Sequence, residues 1–233
     1  MSTKSIYKSP EGEKAVMDLY DSLLARWPVP CETLNIPTQH GDTFVIASGE
    51  KSAPPLILLH GSNANSITWS NDVIEYSSHY RVYAVDTLGE PGKSSPNRPK
   101  WDSLAYAEWL DDVFDALKLE KVSLIGMSQG GWIAIKFATY KPERVGKLVL
   151  LCPGGVTPAR LSFVLRAIPL SLLGRWGIKP IKRIVFGNEP LHEEVDEYVT
   201  LIMRHFKARI DAQSIFSDEE LRRLTMPTLL LVG

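Results

Sequence analysis

Residues 122–132 read VSLIGMSQGGW, a run that sets one serine, Ser128, between Gly126 and Gly130 where an apolar stretch ends. A serine placed this way can act as a nucleophile toward an acyl carbonyl. The spacing Gly-X-Ser-X-Gly is cheap by itself: with Gly and Ser each near 7% of residues, roughly one chain in ten of this length contains it by chance. Its setting carries the argument. VSLIG before it suits a buried strand and GGWIAIKFA after it suits a helix, and a serine on a tight strand-to-helix turn is strained and presented outward. The two glycines leave room where side chains would collide across that turn. The plain alternative is a glycine-rich connection with an idle serine.

Attack by the Ser128 hydroxyl would place negative charge on the carbonyl oxygen. That oxygen needs preorganised donors, each worth on the order of 10²–10³ in rate. The Gln129 N–H, at a helix N-terminus, is one. The other is expected from the loop after an earlier strand, and LILLHGSNAN supplies it. The Ser62 N–H is the expected donor, with Asn63 as the alternative. His60, just before that loop, is expected to orient it through hydrogen bonds and not to serve as the base.

The elements that must hold these residues are legible in the apolar pattern. Residues 11–27 read as an amphipathic helix with Val16, Leu19, Tyr20, Leu23 and Trp27 at helical spacing, stopped by Pro28. CETLNIPTQ and DTFVIAS read as strands joined by a turn at His40-Gly41. PPLILLHG, RVYAVD, KVSLIGMS and KLVLLCPGG are short unbroken apolar runs, which suit strands covered on both faces of a parallel sheet. Between them, Asp102 or Ser103 can start a helix running to Lys118, and residues 129–140 form another, ended before Pro142. Alternating strands and helices imply a doubly wound, mostly parallel α/β sheet with right-handed crossovers. The alternation stops over 154–224, a helical stretch broken by Pro158, Pro169, Gly174, Gly177, Pro180 and Pro190. It resumes at TLLLVG. The expected organisation is a core over 1–153, a helical cap over 154–224, and the start of a late core strand over 225–233.

Composition narrows the classes. The 233 residues carry a formal net charge of −1, which gives no reason to expect nucleic acid as a partner. The longest apolar runs are far short of a membrane span. The polar start MSTKSIYKSPEGEK lacks the apolar region of a signal peptide. The two cysteines, Cys31 and Cys152, form neither a disulfide framework nor a zinc pattern. A reducing, cytoplasmic setting is the expectation.

The chain resembles the α/β-hydrolase superfamily, and within it bacterial esterases of the carboxylesterase NP type. The stretches that carry the resemblance are VIASGEKSAPPLILLHG, YRVYAVDTLGEPGKS, YAEWLDDVFDALKLEKVSLIGMSQGG, PERVGKLVLLCP and FSDEELRRLTMPTLLLVG. Their order is that of the superfamily: oxyanion loop, Asp86 strand, elbow, cap, late strand. The resemblance implies an α/β-hydrolase fold and a serine esterase that cleaves a small-molecule carboxylic ester through an acyl-enzyme. It implies no metal or organic cofactor, because a histidine activates the nucleophile.

Two departures stand out. The superfamily turn Asp-X-X-Gly-X-Gly-X-Ser is here DTLGEPGKS, one residue longer. The family's catalytic acid follows the late strand represented by TLLLVG and its histidine follows the next strand, and neither position falls within these 233 residues. His40, His79, His192 and His205 do not stand where the family places its base, and Asp86 belongs to the turn motif as a structural residue. The natural protein is therefore expected to continue past Gly233, and the chain as it stands is expected to be nearly inactive, with TLLLVG an exposed apolar edge.

Other readings are weaker. GEPGKS after a strand invites a phosphate loop, but Thr87 stands where the loop needs glycine, and Lys93 is then a solvated loop lysine. Residues 154–188 hold Arg160, Arg166, Arg175, Lys179, Lys182 and Arg183 and no acid, so LSFVLRAIPLSLLGRW could lie on an anionic membrane. A cap helix with its apolar face over the active site is the preferred reading. A hydrolase-fold protein that binds a small ligand without turnover, and a peripheral lipolytic protein, are the functional alternatives.

Overall fold

The computed structural model describes residues 5–158, 170, 174–188 and 191–232. Seven strands form one sheet in the order β1-β2-β4-β3-β5-β6-β7: β1 (Cys31–Ile36), β2 (Thr43–Ser48), β3 (Pro55–Leu59), β4 (Arg81–Val85), β5 (Val122–Met127), β6 (Val145–Leu151) and β7 (Thr228–Leu231). β1 and β2 are antiparallel to each other, β2 is antiparallel to β4, and every pairing from β4 to β7 is parallel. This is the mostly parallel α/β sheet that the alternation predicts.

The unbroken apolar runs do serve two faces at once. Ile57 and Leu59 of β3 point into one core with Val45, Val85, Leu124 and the helices α3 (Ala105–Ala116) and α4 (Gln129–Tyr140). Leu56 and Leu58 point into the opposite core with Phe44, Ile46, Val82, Ile125, Trp69 and Tyr20 of α1 (Pro10–Leu24). The side-chain period of 2 assigns neighbours to opposite faces, so a strand covered on both sides has no polar positions to alternate.

α1 starts one residue earlier than its apolar pattern, at Pro10, because Ser9 caps it by accepting the Gly12 N–H at 3.0 Å. It ends at Leu24, short of Trp27. Arg26 and Trp27 turn on tighter bonds to Leu23 and Leu24 carbonyls, and the Trp27 indole donates to Ser48 Oγ at 3.0 Å. α3 starts at Ala105 with Leu104 at its N-cap; the Ser103 hydroxyl accepts only the Ala105 N–H, at 3.3 Å. The short α2 (Asp72–Tyr76) covers the α1 face.

Between β6 and β7 the described helices are α5 (Arg175–Phe186), α6 (Glu193–His205) and the single turn α7 (Asp218–Leu221). Pro180 lies inside α5. The membrane-surface stretch 161–176 and the position of Arg160 lie mostly or wholly outside the described residues. No described helix is long and apolar enough to cross a membrane. α6 packs on α1 through a third cluster in which Tyr198, Ile202 and Phe206 meet Ile6, Tyr7 and Val16. Among the described residues β7 pairs only with β6, and its leucines are half exposed.

Candidate active site

Ser128 occupies the one-residue corner between β5 and α4. Its backbone has φ 50° and ψ −109°, a conformation that costs a non-glycine residue on the order of 1–3 kcal/mol. The corner is fixed from three sides: Ser128 N–H donates to the Leu151 carbonyl at 2.8 Å, and the Ser128 carbonyl accepts Trp132 N–H at 3.0 Å and Gly154 N–H at 3.1 Å. A Cβ on Gly126 would stand 2.4 Å from the Gly130 carbonyl oxygen, and one on Gly130 would stand 2.2 Å from the Leu59 oxygen. These glycines let the corner close on itself and on the end of β3.

A serine at a helix N-cap ordinarily accepts a hydrogen bond from the first turn. Ser128 makes no such bond and is exposed. The strain therefore supplies no capping, and the hydroxyl is left without a bond to the helix.

The loop after β3 faces this serine. A Cβ on Gly61 would lie 3.6 Å from Ser128 Cβ. Ser62 Oγ donates to Gln129 Oε1 at 3.0 Å, tying the loop to the first residue of α4. Of the two loop amides weighed as oxyanion donors, the Asn63 N–H is already committed, donating to Glu90 Oε2 at 2.6 Å. Among the described residues the Ser62 and Gln129 N–H groups have no acceptor.

His60 is fully buried and both ring nitrogens are engaged. Nδ1 bonds the Gly61 carbonyl oxygen at 2.8 Å, and Nε2 accepts the Thr87 N–H at 3.0 Å. Those partners fix a neutral tautomer, and burial lowers its pKa further, against the raising effects of Asp86 and the Gly61 bond. It holds the loop and has no lone pair left for a base.

Asp86 is saturated: Tyr20 OH donates to it at 2.9 Å, Ser66 N–H at 2.8 Å and Lys93 N–H at 2.8 Å. It is the knot of the turn motif. Lys93 is not simply solvated: its Nζ meets Asp21 Oδ1 at 2.5 Å and sits 5.5 Å from the centre of the Tyr20 ring.

Glu90, absent from the sequence-derived site, is the residue that links these parts. It is 2% exposed, accepts Asn63 N–H on one oxygen and Gln129 Nε2 at 2.9 Å on the other. Its one visible signal in the sequence is the extra residue in DTLGEPGKS.

The remaining histidines stand apart. His40 pairs with Glu108 at 3.1 Å, His79 with Glu75 at 3.5 Å, His192 precedes α6, and His205 packs on Gly12 of α1. Among the described residues no histidine hydrogen-bonds Ser128. An open cavity of about 560 Å³ lies between α5 and α6, lined by Ile178, Lys182, Phe186 and Arg204 among others, and none of its lining residues belongs to the elbow.

Residues 54–174 match the family model described as alpha/beta hydrolase fold. The uncharacterized carboxylesterase nap of Bacillus subtilis (strain 168) is 35% identical over 229 residues, 92% of this chain and 74% of that protein. Carboxylesterase YbfK of the same strain is also 35% identical, over 92% of this chain and 75% of its own length. The crystal structure of naproxen esterase (carboxylesterase NP) from Bacillus subtilis superposes with a TM-score of 0.86 at 33% identity, covering 97% of this chain and 82% of that one.

Proposed function

The chain belongs to the α/β hydrolase fold family, and we propose that it is a carboxylesterase-type serine hydrolase with Ser128 as nucleophile. The observation that carries the reading is the strained N-cap serine that does not cap, exposed and opposite the Gly61-Ser62 loop. The carboxylesterase relatives at 35% identity support the reaction class.

The reaction would run in two steps. Ser128 Oγ bonds to the ester carbonyl carbon as its proton passes to a base, and the carbonyl oxygen takes the electron pair. The Ser62 and Gln129 N–H groups face that oxygen, and their fixed dipoles stabilise charge that appears only in the transition state. Collapse expels the alcohol, which takes a proton. Water repeats the sequence on the acyl-enzyme and frees the carboxylic acid and the serine. Residues 154–224, with α5 and α6, would form the cap that lines the acyl pocket, over a core formed by 1–153 and joined by a late core strand within 225–233. The step needs a base within hydrogen-bond reach of Ser128, since an unassisted serine hydroxyl is a weak nucleophile at neutral pH.

The test is Ser128→Ala in the full-length protein. Ester turnover and labelling by an active-site-directed organophosphate should both vanish, while thermal stability holds or rises as the strained corner relaxes. Turnover near wild type in this variant would refute the assignment.

A further inference from the structure

Glu90 lies in the loop after β4, at the point where the chain carries one residue more than the superfamily turn. Its two carboxylate oxygens reach two different elements. Oε2 takes the Asn63 N–H at 2.6 Å, a short charge-assisted bond, and Oε1 takes the Gln129 side-chain N–H at 2.9 Å. Gln129 passes the connection on by accepting the Ser62 hydroxyl at 3.0 Å. A buried acid usually answers a cation. Here the nearby arginines are engaged elsewhere, Arg98 with the Gly89 and Lys207 carbonyls and Arg209 with Asp211 and the Tyr106 hydroxyl. Among the described residues Glu90 makes no ion pair. Its partners are the walls of the oxyanion hole.

We propose that Glu90 is the positioning residue of the oxyanion hole: its carboxylate clamps the 60–63 loop to the start of α4, holds the Asn63 amide out of the site, and leaves the Ser62 and Gln129 amides facing Ser128. This rests on the acyl-transfer reading of Ser128. Asn63 has φ 54°, a left-handed conformation uncommon for a non-glycine residue. The bond to Glu90 stabilises that conformation.

Each oxygen of the clamp accepts an N–H, and protonation would put a donor O–H on one of them and weaken that contact, so the clamp is strongest on the ionised acid. Burial pushes the Glu90 carboxyl up to about 7, against the Gln129 and Asn63 hydrogen bonds and the more distant Arg98 and Arg209 charges, which pull it down. Tyr7 and Tyr106 also feel its charge, and both phenols are held neutral by burial. Asp86 acts on Tyr7 alongside Glu90, and Asp211 acts on Arg98 alongside Glu90. The hole is therefore set as pH rises through about 7.

The experiment compares full-length wild type, Glu90→Gln and the double variant Glu90→Gln/Gln129→Glu on p-nitrophenyl esters. Glutamine at 90 turns an N–H₂ toward one of the two donors. The single variant should lose kcat on the order of 10-fold to 100-fold with KM nearly unchanged, less than outright removal of a donor. The double variant restores an acceptor to every donor and should recover most of the loss, which a general effect on packing would not. The ratio of wild-type to Glu90→Gln kcat should climb as pH rises through about 7, since titration of the shared base cancels. In NMR spectra the Asn63 amide proton should lie downfield, titrate over the same range, and move upfield in Glu90→Gln. Wild-type kcat in the single variant, or no recovery in the double, overturns the proposal. If wild type neither turns over esters nor labels at Ser128, the esterase reading fails. The Asn63 resonance then still decides the clamp: a shift lost in Glu90→Gln upholds it, and an unmoved one refutes it.

Discussion

Around Ser128 the chain closes on itself through backbone atoms and buried side chains: Gly130 lies against the Leu59 and His60 carbonyls, His60 spends both nitrogens on Gly61 and Thr87, and Asp86 is bonded by Tyr20, Ser66 and Lys93. Between β6 and β7 the helices are held differently. Val185, Phe186 and Val195 are exposed, and the ion pairs Lys182–Asp196 and Arg26–Glu194 lie at least partly in solvent. Besides these, α6 is attached through Tyr198, Ile202 and Phe206 against the N-terminal segment, through Lys8, which donates to the Met203, Arg204 and His205 carbonyls, and through the hydrogen bond from Asn65 to the Tyr198 hydroxyl. The difference separates two tasks. On the proposed reading, holding an oxyanion demands donors fixed to a fraction of an ångström, whereas a cap over the pocket can lean on partly exposed contacts and be altered without disturbing the corner.

The strongest way to break this contrast is at the corner itself. Gly130→Ala would put a Cβ 2.2 Å from the Leu59 oxygen and 2.6 Å from the His60 oxygen, both backbone atoms that cannot rotate aside. It should cost about 3 kcal/mol or more, with a melting temperature lower by roughly 10 °C. A thermal midpoint within a degree or two of wild type would show that the corner yields as easily as the helices do.

The buried acid of the same region gives the next effect. The Glu90 pKa is raised in the folded protein, from an ordinary 4.5 to about 7. Between those values the folded protein holds a proton that the unfolded chain has released. The contribution is therefore fully present below the ordinary value and is lost as pH rises through about 7, amounting to roughly 3 kcal/mol. Urea unfolding at about pH 5 and about pH 8 should show the wild type losing stability across that window and Glu90→Gln losing less by about this amount. Equal pH dependence in the two proteins would remove Glu90 as the cause.

The smallest effect is expected in the helical stretch. Tyr198→Phe removes the acceptor for Asn65, which keeps its bond to the Pro91 carbonyl at 2.7 Å. The loss should be about 1 kcal/mol. Hydrogen exchange should quicken over 193–205 while amides of β5 and α4 keep their protection. Faster exchange at the elbow would mean that the two regions are coupled more tightly than their contacts indicate.

Local pattern determined much of this protein. The apolar runs named the strands because a strand buried on both faces has no choice but continuous apolar side chains, and α4 spans Gln129–Tyr140, the same residues its pattern gives. Ser128 and its glycines were legible because strand, corner and helix are adjacent in sequence. The ends of α1 and α3 were not: Trp27 leaves the helix for Ser48, and Leu104 takes the place expected of Asp102 or Ser103. The tertiary structure alone decided which loop amide is free. Asn63 and Glu90 are 27 positions apart, and Glu90 and Gln129 are 39 apart. Periodicity carries no information over such distances. Their meeting depends on β3 lying between β4 and β5, which brings the three loops at that edge of the sheet together and buries a carboxylate among donors that no local rule could have assigned to it.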